Sequence, residues 1–291
     1  MRNNLLLRYV FKGELTMLSA MHIGGGKMQF SSTDSPVVRT ATGEPFIPGS
    51  SFKGVFRSTV EKIAAVLPGL ETCQLFDEDS CCPSVHQKDY NDKRKNKSEE
   101  EFYNLLDENI CSGCSLFGSP YTSGKLYFQD LYPSKWSGVV AVRDGVAIDR
   151  DSERAVDKMK YDYEVVEAGT SFCLELHLEN PRKTDLAMTC LGIQELTNGF
   201  FYIGGMRSRG LGRCRLDNLM IYKLDFHSGS EEERLEKLGT YLRGNSIEEK
   251  MSPIDNPNAF LEEQMNFLLK SSANGINDNS NTSQEGGIEN A

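Results

Sequence analysis

Three stretches of the sequence carry residue types that do chemistry. In Gly204–Arg215, GGMRSRGLGRCR, four glycines and four arginines occur without an acidic residue. Glycines let backbone N–H groups approach a phosphate, and arginine forks hold its oxygens bidentately. No GK[ST] follows and no GxGxxG opens a helix after the first strand, so neither nucleotide fingerprint applies. An ordinary glycine turn flanked by surface arginines is the alternative. In Pro48–Arg57, PGSSFKGVFR, Lys53 and Arg57 lie four apart on one helical face, beside the free N–H groups of a helix start. Together these make an anion site, whereas singly they read as solvated charges. The third stretch holds Cys73, Cys81, Cys82, Cys111 and Cys114. Cys111 and Cys114 form a CxxC, and Cys73 with Cys81 or Cys82 completes four thiolate ligands for a structural Zn2+, with His86 as an alternative fourth. Free, partly buried thiols are the competing description. Cys173, Cys190 and Cys214 fall on predicted core elements and read as packing residues.

These groups need elements to hold them. Leu7, Tyr9, Phe11, Leu15 and Met17 alternate with polar residues, which predicts a half-buried strand ending near Ser19. The glycine loop HIGGG follows. Phe52, Val55, Phe56, Thr59, Ile63 and Val66 form a helical stripe with Ser50 or Ser51 as N-cap. Residues 68–114 read as a loop-rich insertion with a charged run, Lys125–Leu131 as a strand, and 132–170 as a projecting hairpin. Phe172, Leu174, Leu176 and Leu178 alternate with Cys173, Glu175, His177 and Glu179, predicting another half-buried strand. Thr184–Asn198 reads as a helix stopped by Gly199, and CRLDNLMIYKLDF as a closing strand. The order strand, helix, strand, strand, helix, strand predicts an α+β, ferredoxin-like βαββαβ core of the kind RNA-recognition sheets use. Two helices, 230–244 and 258–270, follow the 1–227 domain. Residues 271–291, rich in Asn, Ser and Gly, read as a disordered tail.

The 291 residues carry a formal net charge of −10. No run of about 18 apolar residues occurs, and the N-terminus lacks a continuous apolar h-region, so neither a membrane span nor a secretory signal is expected. A cytoplasmic, reducing setting fits thiols that bind metal. Net acidity argues against a nucleic-acid binder. However, Ser228–Ala291 holds twelve acidic against five basic residues, so most of the excess lies in the C-terminal extension.

HIGGG, DSPVVR with GEPFIPGSSFKGVFR, the CxxCSLFGS passage, RDGVAIDRDSERA and GGMRSRGLGR occur in this order over about Leu5–Phe226. In combination they resemble the RAMP superfamily, and within it the backbone subunits of type III CRISPR effector complexes of the Csm backbone type. The resemblance implies a modified RNA-recognition fold whose copies stack along a CRISPR RNA and engage single-stranded target RNA. It also implies neighbouring RAMP subunits and a large polymerase/cyclase-type subunit as partners. It places guide contacts at His22, Gly24, Gly25, Ser50, Ser51, Lys53 and Arg57, then at Gly205, Arg207, Ser208, Arg209 and Gly210. A thumb, Arg143–Glu164 with Asp149 and Arg150, would separate guide from target. The family's catalytic aspartate, in the loop between the first strand and first helix, matches Asp34.

RNA carries its own nucleophile, the 2′-OH, so cleavage needs in-line geometry, proton removal and stabilisation of developing charge. An ordinary Asp, with a pKa of about 3.9, is a weak base at neutral pH, so Asp34 is expected to hold catalytic Mg2+ or Mn2+. His22 is a second acid–base candidate or an RNA contact. Base pairing would supply specificity, and a local basic groove would suffice for binding. The other classes are a catalytically silent RNA-binding scaffold, a metal-independent nuclease that processes precursor CRISPR RNA, and a zinc-containing interaction protein without RNA.

Overall fold

The computed structural model describes residues 4–26, 33–73 and 82–274. Strand β1 (Leu7–Met17) turns Tyr9, Phe11, Leu15 and Met17 to a buried face, as their alternation predicts. Helix α1 (Gly49–Ala64) buries Phe52, Phe56, Val60 and Ala64, four residues apart. Each fully buried phenylalanine contributes about 1.5–3 kcal/mol. The helix ends before Val66, which is 77% exposed rather than part of the stripe. Its N-cap is Pro48, not Ser50 or Ser51. The Asp130 carboxylate accepts from the Gly49 N–H at 2.7 Å, so a distant acid does the work of a capping hydroxyl.

The insertion is helical rather than loop-rich: α2 (Gln87–Asn96), α3 (Glu99–Asn109) and α4 (Ser112–Phe117). The charged run 88–101 hides a helix start. Ser98 caps α3, accepting from the Glu101 N–H while the Glu101 carboxylate accepts from the Ser98 N–H. Tyr90, Phe102 and Leu106 form a small core between α2 and α3.

Next come β2 (Leu126–Phe128), β3 (Pro133–Lys135), the hairpin β4 (Val140–Asp149) and β5 (Arg154–Val166), and β6 (Ser171–Glu179). Helix α5 (Lys183–Thr197), β7 (Phe201–Tyr202), a 3-10 turn at Arg207–Arg209 and β8 (Arg213–Asp225) follow. The extension adds α6 (Glu231–Arg243), α7 (Ile247–Lys250), β9 (Ser252–Pro253) and α8 (Pro257–Asn274). Helix α8 thus continues through residues 271–274 of the predicted tail, and 275–291 lie outside the described residues.

The main sheet is antiparallel in the order β2-β6-β1-β8-β7, with β3 on β6 and β9 on β8. Its buried face packs on α1, α5 and α8 in one apolar cluster, so the chain is a mixed α+β protein. A bulge interrupts β8, where Lys12 faces Met220 but Glu14 faces Asp217, and Asn218 takes φ +54. Gly13 sits opposite, where a Cβ would meet Leu216 Cδ1 at 2.7 Å and the Asp217 oxygen at 2.8 Å. The extra residue switches β8's parity, so Cys214 and Leu216 face the helices before it and Ile221 after it.

The opposite face carries a charge ladder: Arg8 pairs with Glu179 at 2.5 Å and Lys12 lies 3.9 Å from Glu175. At one end Val10, Tyr222, Leu224 and Met251 form a second small core beside Tyr241 and Ile247. Cys173 faces this side and is exposed, contrary to its reading as a packing residue, because the alternation that buries Phe172 and Leu174 turns it outward. Cys190 and Cys214 are buried. Among the described residues no helix is long and apolar enough to cross a membrane.

Candidate nucleic-acid interface and metal centre

The chain leaves β1 through Ala20–Gly25 and meets the arginine loop there. The His22 carbonyl accepts from the Gly205 N–H at 2.8 Å, and the Ala20 carbonyl from the Gly212 N–H at 2.8 Å. Gly204 has φ +85, and a Cβ there would stand 2.3 Å from the His22 oxygen, so this contact requires glycine. The His22 ring is buried, and its Nδ1 lies 2.7 Å from the Glu164 carbonyl at the base of β5. A carbonyl only accepts, so Nδ1 carries the proton, and Nε2 is left towards Gly24, 3.7 Å from where a Cβ would stand. Arg207, Ser208, Arg209 and Gly210 are exposed on the loop's outer turn. Arg209 Nη1 donates to the Tyr161 hydroxyl at 2.5 Å, and Tyr161 stacks on Tyr163, which meets the His22 ring edge-on at 5.9 Å.

Asp34 reaches the same place from the other side. The extended segment 35–38 is hydrogen-bonded along both edges. On one, the Pro36 carbonyl accepts from Gly25 N–H and Val38 N–H donates to the Ile23 carbonyl, both at 2.9 Å. On the other, the Ser35 carbonyl accepts from Glu164 N–H at 3.0 Å. The Glu164 carboxylate accepts from Val37 N–H at 3.0 Å and pairs with Arg39 at 2.8 Å. Asp34 and Asp162 bond reciprocally: Asp34 N–H donates to Asp162 Oδ1 at 2.6 Å, and Asp162 N–H to Asp34 Oδ2 at 3.1 Å. Asp34 is exposed. Neither Asp162, Glu164, Tyr161 nor Arg39 was singled out in the sequence. The signal available was the pattern YDYE, in which each carboxylate alternates with an aromatic ring.

Along the hairpin, Arg143 approaches Glu167 at 3.7 Å, with both side chains part-exposed. Asp149 and Arg150 are exposed at the tip, where the Asp149 carboxylate accepts from Ser152 Oγ at 2.8 Å and Asp151 N–H at 3.1 Å. Those bonds, the Ser152 hydroxyl first, hold the Asp149 carboxyl below the usual carboxylate range.

The start of α1 has other neighbours. Ser50 and Lys53 line a cavity of about 300 Å³ with Gly49, Ser123, Gly124 and Tyr127, none of which belongs to the arginine-loop group. Burial, with help from Arg57, lowers the Lys53 pKa. Ser51 lies next to it on α1, part-buried. Arg57 turns towards the cysteines. Its guanidinium bonds Glu61 at 2.7 Å, lies 3.7 Å from Cys114 Sγ and sits over the Phe117 ring at 5.8 Å. Ser50 and Lys53 thus share their cavity with residues 123–128, and Arg57 faces the sulfur site.

That site consists of Cys73, Cys82, Cys111 and Cys114, all buried, with sulfurs within 4.8 Å of one another. Cys82 completes the set, His86 is not in it, and Cys81 lies outside the described residues. The Cys73–Cys114 and Cys82–Cys111 sulfurs are 3.4 and 3.7 Å apart. Tetrahedral Zn–S bonds of about 2.3 Å require sulfurs about 3.8 Å apart, so the four residues fit a metal ion. Burial pushes the Cys73 thiol up to about 12, neighbouring thiols raise Cys111, and hydrogen bonding with Cys111 and Cys114 pulls Cys82 down. Helix α4 begins at this site, with Cys111 Sγ accepting from the Cys114 N–H.

A carboxylate clasped to a hairpin, a glycine–arginine loop and a four-cysteine centre all fall within the part of the chain that matches known proteins. The model of the family described as RAMP superfamily matches residues 14–215. The chain is similar to proteins named CRISPR system Cms endoribonuclease Csm3. With that of Methanocaldococcus jannaschii it is 24% identical over 249 residues, 79% of this chain and 87% of the relative. With that of Enterococcus italicus it is 26% identical over 227 residues, 75% and 94% of the two chains. With that of Streptococcus thermophilus it is 25% identical over 232 residues, 72% and 87%. The family match spans well over half of the sequence and holds the glycine–arginine loop, the cysteines and Asp34 together, and so the chain belongs to the RAMP superfamily.

Proposed function

We propose that this protein is a backbone subunit of a type III CRISPR ribonucleoprotein that binds CRISPR RNA and cuts guide-paired target RNA, with Asp34 as the catalytic residue. The observation that carries it is the seating of exposed Asp34 on the hairpin base beside the arginine loop, all within the family match. The names of the relatives support an endoribonuclease. The strand order β2-β6-β1-β8 supports a ferredoxin-like core, numbered 2-3-1-4 by its four main strands. The match to 14–215 supports a domain spanning 1–227, and the helices α6 to α8 make a helical extension that runs from 228 to Asn274. The hairpin β4–β5 is the thumb.

Cleavage proceeds by attack of a target 2′-oxygen on the adjacent phosphorus. The 2′-hydroxyl gives up its proton to water, the bond to the leaving 5′-oxygen breaks and that oxygen takes a proton from water, giving a 2′,3′-cyclic phosphate and a 5′-hydroxyl. The thumb supplies in-line geometry by spreading the paired strand. The Arg207–Gly210 turn, with His22, Gly24 and Gly25 beneath it, takes guide phosphates, and Ser50, Ser51 and Lys53 take others at the start of α1. Mg2+ or Mn2+ would be held by Asp34 with phosphate oxygens and would neutralise charge developing on the RNA. The four cysteines hold a structural Zn2+ that ties α4 and the insertion to the core, with Arg57 beside it. The partners are CRISPR RNA, target RNA, neighbouring RAMP subunits and a large polymerase/cyclase-type subunit in a cytoplasmic complex.

The test is cleavage of guide-paired RNA by the reconstituted ribonucleoprotein carrying Asp34→Ala. Loss of every regularly spaced cut, with guide and target still bound, is expected. Retained cutting would leave a silent scaffold, and metal-independent cutting of guide repeat RNA would make it a processing nuclease.

A further inference from the structure

Asp162 shares two hydrogen bonds with Asp34 although the two are 128 residues apart. The pairing is reciprocal. The Asp162 carboxylate accepts the Asp34 N–H at 2.6 Å, and the Asp34 carboxylate accepts the Asp162 N–H at 3.1 Å. The first bond fixes the backbone of residue 34, and the second fixes its side-chain rotamer. Residues 35–38 cannot do this alone, since their hydrogen bonds to Ile23, Gly25 and Glu164 begin one residue later. Asp162 itself stands on a paired strand, opposite Asp144 in the β4–β5 register, so it is held in place without Asp34.

We propose that Asp162 is a positioning residue for RNA cleavage, holding the Asp34 carboxylate in its working orientation from the thumb. The proposal rests on the assignment of Asp34 as the catalytic residue. Its requirement is an acceptor oxygen rather than a charge, because what Asp34 offers to that oxygen is a backbone N–H. An asparagine can supply the same acceptor, and an alanine cannot. Without that acceptor the backbone of residue 34 is released, although the Asp162 N–H still bonds Asp34 Oδ2, and a displacement of the carboxylate by about 1 Å loses roughly 100-fold in rate without loss of substrate binding.

The experiment is single-turnover cleavage of guide-paired RNA by the full reconstituted ribonucleoprotein, comparing wild type, Asp162→Ala, Asp162→Asn and Asp34→Ala. Rate at saturating target, target affinity, the Mg2+ or Mn2+ concentration giving half-maximal rate and thermal stability are read for each. Asp162→Ala is expected to lower the saturated rate by roughly 10- to 100-fold, with target affinity, metal dependence and stability unchanged. Asp162→Asn is expected to restore the rate to within a few-fold of wild type. A wild-type rate for Asp162→Ala alongside an inactive Asp34→Ala would overturn the proposal while leaving the catalytic assignment intact. So would an Asp162→Asn as slow as the alanine variant with a raised metal requirement, which would make Asp162 a metal ligand. Undiminished cutting by Asp34→Ala would instead remove the assignment beneath it.

Discussion

Two glycines with nearly equal backbone angles make a controlled test of how the arginine loop is anchored. Gly204 has φ +85 and Gly43 has φ +88, so replacing either by alanine incurs the same left-handed strain, about 1–2 kcal/mol. Around Gly43 nothing lies within 4 Å of the added methyl group. At Gly204 it would stand 2.3 Å from the His22 oxygen, 3.1 Å from the carbonyl carbon and 3.2 Å from Ile23 Cγ1. The strands must part by about 1 Å to reach ordinary contact, which breaks the Gly205 N–H bond to His22. Losing that bond costs about 0.5–1.5 kcal/mol more. For a chain of this size 1 kcal/mol moves Tm by about 2–4 °C. Gly43→Ala should therefore lower Tm by a few degrees in scanning calorimetry, and Gly204→Ala by more. Guide RNA affinity should fall only for Gly204→Ala. Equal Tm shifts for the two variants would refute the claim that the loop is seated on His22.

The cysteine centre and the insertion give two further expectations. The purified protein should carry about one zinc per chain, and Cys111→Ser should abolish metal retention and lower Tm. Because burial holds the Cys73 thiol at about 12, it is protonated at neutral pH and metal uptake must release its proton, so retention should weaken as pH falls. Metal release into a colorimetric chelator between pH 8 and 5 checks the sign. In α3, Ser98→Ala should cost about 1 kcal/mol as the loss of a helix cap. The Ser98 backbone N–H, then its hydroxyl, depress the Glu101 pKa, so Glu101's part in this cap is present above the unfolded carboxylate pKa. It is lost as pH falls through the folded value. The Tm gap between wild type and Ser98→Ala should narrow in acid.

The strands and helices that bury one face were legible because their periods are local. Tyr9, Phe11 and Leu15 announce β1, and Phe52 and Phe56 announce α1, although the stripe read from the sequence passed over Val60 and Ala64. The α2–α3 pair was obscured because the run 88–101 is almost all charged and its core rests on Tyr90, Phe102 and Leu106 alone. Composition located the sulfur site, but Cys82 emerged as its fourth member only from the fold. Arg57 looked like a partner of Lys53 at i and i+4, yet Glu61, one turn on, draws it towards Cys114. Asp162 was invisible because its meaning depends on a partner 128 residues away, which no local period encodes.

The bulge at Asn218 lets one strand serve two masters. Before it, β8 sends Cys214 and Leu216 into the helical layer; beyond it, Tyr222 and Leu224 anchor the C-terminal extension on the far side. Excising this single residue would swap inside for outside along half the strand, turning Tyr222 and Leu224 to the helical layer and Ile221 to the opposite face. A deletion of one codon would then be more damaging than many substitutions nearby, and a compensating deletion would have to lie within the same strand.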